Sequence, residues 1–539
     1  MFPAYLHTAV CAISITLASA HTCLAQIPGD LDRTFAAPNG YIAGIYAGDV
    51  FGARISAIAP QADGKVVLAG TCGLTHTDFC AMRLMELGGL DPTFDGPTAS
   101  APGDGKFLIA LGTGNSSASA VMIQRDGKIV LAGQCEENGK REYCVARLNP
   151  DGSFDETFDG PNLATPGNGK FVLPGVGLGI DHRLTAAVLQ PDEKIVLVGY
   201  CWNDQQANSI SRACLARLNS DGSFDENFDG PAQTAPGNGA FSLQMVKRQG
   251  NDYPASLALD TDGNLIVGGH CIDGTSVFVC VVRLTADGRF DSTFIDGSGN
   301  FPGKTEFGMG GSASRATSLS VQTDRKIVVT GTCVVGLLNQ ICAARIRQDG
   351  LRDATFGGPA GTLVVALPAI SANATGVSMS HDGTVVIVGD CFTGTQYRFC
   401  MVRLRSDGTL DSTFDGWNAQ GNGFISMFPF AVNDQARAVS ILRDGRIVVG
   451  GDCTDGNFYF ACVARFNGGP FGARKCSMDI DGDGQVLPMT DLTMLMRATQ
   501  GLTGAGVTGG ISFTSNAKRT TWASIQAYLV SQCEMVVTP

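Results

Sequence analysis

Histidine is scarce in this chain. Six occur in 539 residues. The four beyond the N-terminal region, His76, His182, His270 and His381, stand at unrelated positions. No H-E-x-x-H, G-x-S-x-G or phosphate-loop segment is present, so the common zinc-protease, α/β-hydrolase and P-loop chemistries have no signature here. Positive charge is also short. Lys and Arg number 38 against 50 Asp and Glu, a net charge of −12, and a nucleic-acid or anionic-membrane partner needs a basic footprint. Beyond the N-terminus no run of 18 apolar residues occurs, so no membrane-spanning helix is expected. Through most of the chain no apolar period of 3.6 residues lasts long enough for a helix. Trp and Tyr are few, at 3 and 9, whereas Phe, at 29, recurs in a pattern.

The N-terminus carries an apolar stretch, residues 9–20, of signal-peptide length, with small residues after it and no Lys or Arg before it. Cleavage after Ala20 or after Ala25 fits the small-residue rule. Cutting after Ala25 removes Cys11 and Cys23 and leaves 16 of the 18 cysteines, an even number. Residues 1–25 are therefore expected to be a signal peptide. The mature chain is expected to be exported, whether secreted, periplasmic or at the cell surface, in a compartment that permits disulfides.

What is abundant is repetition. Fourteen cysteines form seven close pairs: Cys72/Cys80, Cys135/Cys144, Cys201/Cys214, Cys271/Cys280, Cys333/Cys342, Cys391/Cys400 and Cys453/Cys462. Successive first members are 63, 66, 70, 62, 58 and 62 residues apart. Three residues after each second cysteine stands an Arg: Arg83, Arg147, Arg217, Arg283, Arg345, Arg403 and Arg465. Asp-x-Thr-Phe, once with Asn for Thr, also occurs seven times, beginning at Asp32, Asp91, Asp155, Asp225, Asp291, Asp353 and Asp411. A β-branched run precedes each first cysteine, as in "KIVLAGQC", and an Asp-centred turn such as "QRDGK" precedes the run.

Val/Ile-rich runs between turn signals read as strands, and Asp-Gly supplies the positive-φ residue of a hairpin turn. Each unit reads as strand, strand, tight turn, strand, loop, strand. Seven four-stranded units in tandem predict an all-β fold, a seven-bladed β-propeller over residues 26–466, whose radial closure protects sheet edges. The cysteines are expected as disulfides at the base of the hairpin joining the last two strands of a blade. Directly opposed positions of an antiparallel pair are within reach. Metal or redox chemistry is the rival reading, but the spacing is not C-x-x-C and His rarely accompanies the pairs. Equal numbers of Arg and Asp suggest a latch pairing each Arg with the Asp of the following corner; a ring of Arg at a binding face is the alternative. The last unit lacks its own Asp-x-Thr-Phe, and a spare copy, "LDRTF", opens the mature chain at 31–35. That segment is expected to pack on the last blade and fasten the ring.

The pattern "DGKIVLAG…ARLNPDGSFDETF", over residues 30 to 466, resembles the delta-60 repeat family of bacterial secreted and surface proteins, which implies a propeller and says little about activity.

A Gly-rich link, 467–475, leads to a different composition. "MDIDGDGQVLPMTDLTMLMRATQGL" places Asp479, Asp481, Asp483 and Gly484 as positions 1, 3, 5 and 6 of an EF-hand-type calcium loop. Gln485 would lend its carbonyl. Position 12 is Thr490, and a one-residue insertion would let Asp491 close the site. An Asp-rich surface turn is the plainer reading. Residues 476–539 resemble a dockerin-like module, which implies Ca2+ bound by Asp479, Asp481, Asp483 and Asp491. The second dockerin loop is missing its acids, and Pro488–Met489 replace polar cohesin-contacting residues, so a cohesin partner does not carry over. A second helix is expected with Thr520–Thr521 as cap and Trp522, Ile525, Tyr528 and Leu529 as its apolar face. Cys476 and Cys533 bracket the module and are expected to pair.

For function, the expectation is a monomeric, non-catalytic recognition or attachment protein, bound to an extracellular polysaccharide or a surface protein. An extracellular polysaccharide-degrading enzyme, hydrolase or lyase, is the alternative, and a structural envelope protein the third reading. Two insertions that break the repeat, 202–213 with Trp202 and 246–254 with Tyr253, are candidate binding loops, though tolerated surface insertions would look the same.

Overall fold

The computed structural model describes residues 28–45, 52–96, 103–160, 167–173, 176, 181–202, 210–231, 238–296, 299–367, 369–380, 382–414, 422–427, 433–468, 480–481, 487–514 and 516–531. The expected signal peptide and both Cys476 and Cys533 lie outside these residues. Within them the chain forms seven four-stranded antiparallel sheets, the blades of a β-propeller. Blade two shows the plan: strand a is Ser116–Ile123, b Ile129–Glu137, c Lys140–Leu148 and d Lys170–Leu173. Strand a lies innermost and d outermost. Strands b and c are buried along most of their length, so they read as continuous apolar runs. Strand a alternates buried and accessible residues, because one side packs between blades and the other faces the axis. In the a–b turn, Gly127 takes φ +85° and the Asp126 carboxylate accepts the Lys128 amide. Glu193 and Arg325 hold the same left-handed corner in blades three and five, a conformation that costs non-Gly residues energy.

Two expectations about the cysteines need correction. They do not sit on the last two strands of a blade; they link the middle strands, b and c. The repeat is cyclic, and strand d pairs with the c strand before it rather than the a strand after it. Nor are the cysteines directly opposed. Cys135 faces Glu142 and Cys144 faces Gly133, so the bond runs diagonally, with Cα atoms 5.9 Å apart.

The same correction applies to every other blade. Cys80 stands opposite Gly70, Cys214 opposite Gly199 and Cys280 opposite Gly269. Cys342 stands opposite Gly331, Cys400 opposite Gly389 and Cys462 opposite Gly451. The bonded partner is in each case two residues further along strand b. The bonds Cys72–Cys80, Cys201–Cys214, Cys271–Cys280, Cys333–Cys342, Cys391–Cys400 and Cys453–Cys462 span Cα distances of 5.7–6.0 Å. That diagonal lies within ordinary disulfide reach. The pairing itself is as expected, one bond per blade.

The Arg and Asp of each unit meet. Arg147 Nε donates to Asp155 Oδ2 at 2.6 Å, and the other six pairs, with Arg465–Asp32 among them, measure 2.7–2.8 Å. All fourteen side chains are buried. The Phe of each corner lies under the guanidinium, 4.3 Å away for Phe158. Arg147 Nη2 donates to Thr157 at 3.2 Å, and Nη1 to the backbone carbonyl of Ser220, in the c–d corner of blade three. Each latch thus joins its own corner to the next blade, a reach the equal counts do not reveal. Burial alone would raise the Asp155 carboxyl; the hydrogen bonds of Thr157 and Lys128 and the Arg147 charge outweigh it and hold the pKa at about 2.

Closure goes further than expected. Residues Tyr41–Ile45 supply strand d of blade seven, pairing antiparallel with Tyr459–Phe466. Asp32 latches Arg465, which in turn donates to the Glu86 carbonyl of blade one. The Ala36 amide donates to the Leu87 carbonyl at 2.7 Å. The first residues of the array therefore complete its last blade.

The C-terminal module is helical: a wide turn at Pro488–Leu492, then α1 (Thr493–Thr499), α2 (Ala505–Thr508) and α3 (Trp522–Ser531). Ile480, Met494, Ala498, Val507, Ile525 and Leu529 form its core. Thr521 accepts the Ser524 amide at the start of α3, and the Tyr528 side chain lies outside the described set.

Candidate functional site

The repeat explains how a variable surface is mounted on a constant frame. Every a strand carries a bulge at its middle, as at Ser119 between Ala118 and Ala120. The bulge pushes the preceding carbonyl against strand b. A Cβ on Gly133 would stand 2.0 Å from the Ser117 oxygen, and the same Gly in the other blades is as tightly covered. In each Gly-x-Cys the Gly thus admits the bulge and the Cys makes the bond. Residue x stands on strand b at the end carrying the b–c hairpins, and in blades three and four it lines the axial cavity. These residues are Thr71, Gln134, Tyr200, His270, Thr332, Asp390 and Asp452, paired across to Arg54, Ser117, Arg183, Tyr253, Arg315, Asn373 and Gln435.

On blades three and four this mouth is aromatic. Tyr200 packs edge-on against Trp202 at 5.0 Å and against Tyr253 at 5.6 Å, and Tyr253 stacks on His270 at 5.0 Å. Arg183 lies over Trp202 at 5.0 Å. Residues of four blades, including Ser56, Ser119, Thr185, Tyr200, Tyr253 and His270, line one axial cavity of about 420 Å³. Burial, with the Arg315 charge adding to it, pushes His270 down to about 4, so the ring is neutral at physiological pH. On blades six and seven the mouth is acidic but compensated. Asn373 donates to Asp390 at 2.9 Å, and Arg437 to Asp452 at 3.1 Å. Burial raises both carboxyls.

The two insertions chosen as candidate loops meet. Ser211 N donates to Asn251 Oδ1 at 2.9 Å, and Arg212 donates to the Gly250 carbonyl at 2.9 Å. Asp252, fully buried, accepts the amides of Met245 and Val246 and so folds the second loop back beneath Tyr253. Burial pushes the Asp252 carboxyl up to about 6. Residues 203–209 lie outside the described residues. Trp202 and Tyr253, one from each insertion, thus share one cluster through Tyr200. Tyr200, His270 and Arg183 were not singled out. Their signal is the variable position inside Gly-x-Cys and its cross-strand partner.

Of the residues expected to form a calcium loop, Asp479, Asp483 and Gln485 lie outside the described residues. Asp481, and Asp491 in the turn Pro488–Leu492, are fully buried. Asp491 Oδ1 accepts the amides of Ile480 at 2.6 Å and Asp481 at 3.1 Å; Oδ2 accepts from Leu487 N at 2.9 Å and Thr490 Oγ1 at 3.0 Å. Burial would raise this carboxyl, but those hydrogen bonds outweigh it and lower it. Asp491 therefore ties Ile480 and Asp481 to Leu487. Among the described residues no group of three or more His, Cys, Asp or Glu is placed to hold a metal.

The family model described as "Domain of unknown function (DUF5122) beta-propeller" matches residues 124–158, 190–228, 261–294 and 381–414, each running through or from the a–b turn to the Asp-x-Thr-Phe corner. No curated protein matches the chain. Similar solved structures include a polysaccharide lyase, Uly1 (11% identity, 82% of this chain, 97% of that one, TM-score 0.44). A streptogramin B lyase matches at 12% identity over 78% and 97%, with TM-score 0.41. Sqt1 of Chaetomium thermophilum matches at 13% identity over 80% and 99%, with TM-score 0.36.

Proposed function

We propose that this is an exported, non-catalytic recognition or attachment protein that binds an extracellular polysaccharide at the b–c hairpin mouth of the propeller. The observation that carries it is the aromatic cluster, Tyr200, Trp202, Tyr253 and His270, beside a cavity of about 420 Å³. Ring faces offer large, rigid apolar area to the C–H faces of a sugar, and the hydroxyls of Ser56, Ser119 and Thr185 line the same space. Seven disulfides suit an oxidising compartment. Among the described residues no helix is long and apolar enough to cross a membrane.

The test is incubation of the full mature chain with insoluble polysaccharides, assaying protein on the pellet and sugar in the supernatant. Retention without release, weakened about tenfold by Tyr253→Ala, is expected. Release that grows with time and stops on heat inactivation would overturn the reading. It would favour the second one, a polysaccharide-degrading enzyme, for which Asp390 and Asp452 are the observation: two buried carboxyls at one mouth, the first contributing to the raised pKa of the second.

The C-terminal module is proposed to bind Ca2+ through Asp479, Asp481, Asp483, the Gln485 carbonyl and the loop that Asp491 closes. Alternating carboxylates suit a hard cation. Calorimetric titration of the full chain with calcium should give one site that Asp481→Asn and Asp483→Asn each abolish; binding unaltered in both variants would refute it.

A further inference from the structure

The mouth is positively charged where it is accessible, in a chain whose net charge is −12. Arg54, Arg183 and Arg315 occupy one register position, each opposite residue x of its own blade. They belong to blades one, three and five, so the guanidiniums are spread around the axis. Arg54 and Arg315 are exposed, and among the described residues no carboxylate lies within ion-pair distance of either. Arg54 rests on the Tyr459 ring at 4.2 Å, as Arg183 rests on Trp202 at 5.0 Å. Arg183 has only a long contact, 3.7 Å, to Asp181, and its Nε is buried with no hydrogen-bond partner. Of the acids of the same tier, Asp452 feels the Arg54 charge as well as that of Arg437, but among the described ion pairs neither it nor Asp390 contacts Arg54, Arg183 or Arg315. Asp390 and Asp452 are buried and engaged by Asn373 and Arg437. An Arg laid on an aromatic ring is held in place with its planar fork free to meet a two-oxygen anion.

Resting on the reading of this mouth as a saccharide site, we propose that its ligand is an acidic polysaccharide, whose carboxylate or sulfate groups are met by Arg54, Arg183 and Arg315 while the sugar rings stack on Tyr253 and Trp202. Uronates and sulfate esters share that chemistry, and separate arms of the test distinguish them.

The experiment is calorimetric titration of the full mature chain with soluble polygalacturonate, with dextran sulfate and with uncharged dextran of matched length. The acidic chains should bind and dextran should not. Affinity should fall at least tenfold between roughly 50 and 500 mM salt. The double variant Arg54→Gln/Arg315→Gln changes exposed side chains only and should lose about 100-fold in affinity, roughly tenfold per guanidinium. Whichever of the two acidic chains binds more tightly assigns carboxylate or sulfate. Dextran binding that Tyr253→Ala weakens and the Arg variant does not would overturn the acidic ligand and leave the saccharide site standing. Equal binding of polyglutamate would overturn the saccharide part. Binding of none of these chains would overturn both.

Discussion

Removing residues 28–45 is expected to open the ring and abolish cooperative unfolding of the propeller. Three supports go at once. Blade seven loses its outer strand, Tyr41–Ile45. Phe35 and Ile45 leave a core they share with Ile55, Leu68 and Leu84 of blade one, and a buried Phe alone is worth about 3–5 kcal/mol. Arg465, 1% exposed, loses the Asp32 carboxylate, and an uncompensated buried charge costs about 3–5 kcal/mol more. The total approaches the whole net stability of an ordinary domain, about 5–15 kcal/mol. Calorimetry of the truncated chain should show a broad, low-temperature transition, and a synthetic peptide spanning 28–45 should restore a sharp one. An unchanged melting profile would mean that closure does not depend on this strand.

The second large effect is at the latch. Arg147→Ala should destabilise by about 3–5 kcal/mol, because Asp155 stays buried without its partner. Arg147→Met with Asp155→Leu should cost clearly less than the sum of the single changes, with a coupling above about 1 kcal/mol; strictly additive losses would deny the contact. The same groups set the acid limit. Asp155 has a folded pKa of about 2, below its unfolded value near 3.8, so its contribution is complete above the unfolded value and is lost as pH falls through the folded one. The other six latch aspartates are lowered as well. Stability should therefore drop steeply below about pH 4. Asp252 works in the opposite sense. Its folded pKa, about 6, lies above the unfolded one, so stability declines as pH rises from about 4 to 6. Urea titrations from about pH 2 to 8 should find the midpoint highest on the acid side of neutrality, and a flat acid limb would contradict the latch assignment.

Much of this architecture was legible because it is written seven times. The Val and Ile runs, the Asp-Gly turns and the cysteine pairs each mark a strand or corner, and their number is the blade number. The phase of the repeat was not legible. A cyclic pattern has no first strand, and four-residue d strands such as Lys170–Leu173 carry too little pattern to show which neighbour they join. The diagonal run of the disulfides was hidden for a related reason: loop length fixes which cysteines meet, but not the register in which Cys144 falls opposite Gly133. The outward half of the latch was hidden too, because the Arg147 partner is a backbone carbonyl 73 residues away and bears no side-chain signal. At the mouth, Trp202 and Tyr253 stood out because they break the repeat. Tyr200, His270 and Arg183 sit inside it, at positions whose direction depends on a bulge.

The closing contact has a consequence for how such a ring can be cut and lengthened. Arg465 reaches the Glu86 carbonyl in the way that Arg83 reaches Pro150 and Arg147 reaches Ser220. The Arg–Asp–carbonyl latch is the same at every junction; the one at blade seven differs in that the backbone is interrupted there, in an irregular outer-strand register and in the Arg446 contacts to Asp32 and Glu86. A circular permutant opened in another c–d corner, with residues near 45 and 466 supplied from a continuous chain, would meet the same latch at its new seam. Duplicating one unit would likewise add a blade without requiring any new contact chemistry, so the blade number is set by how many units are strung together rather than by the joint between them.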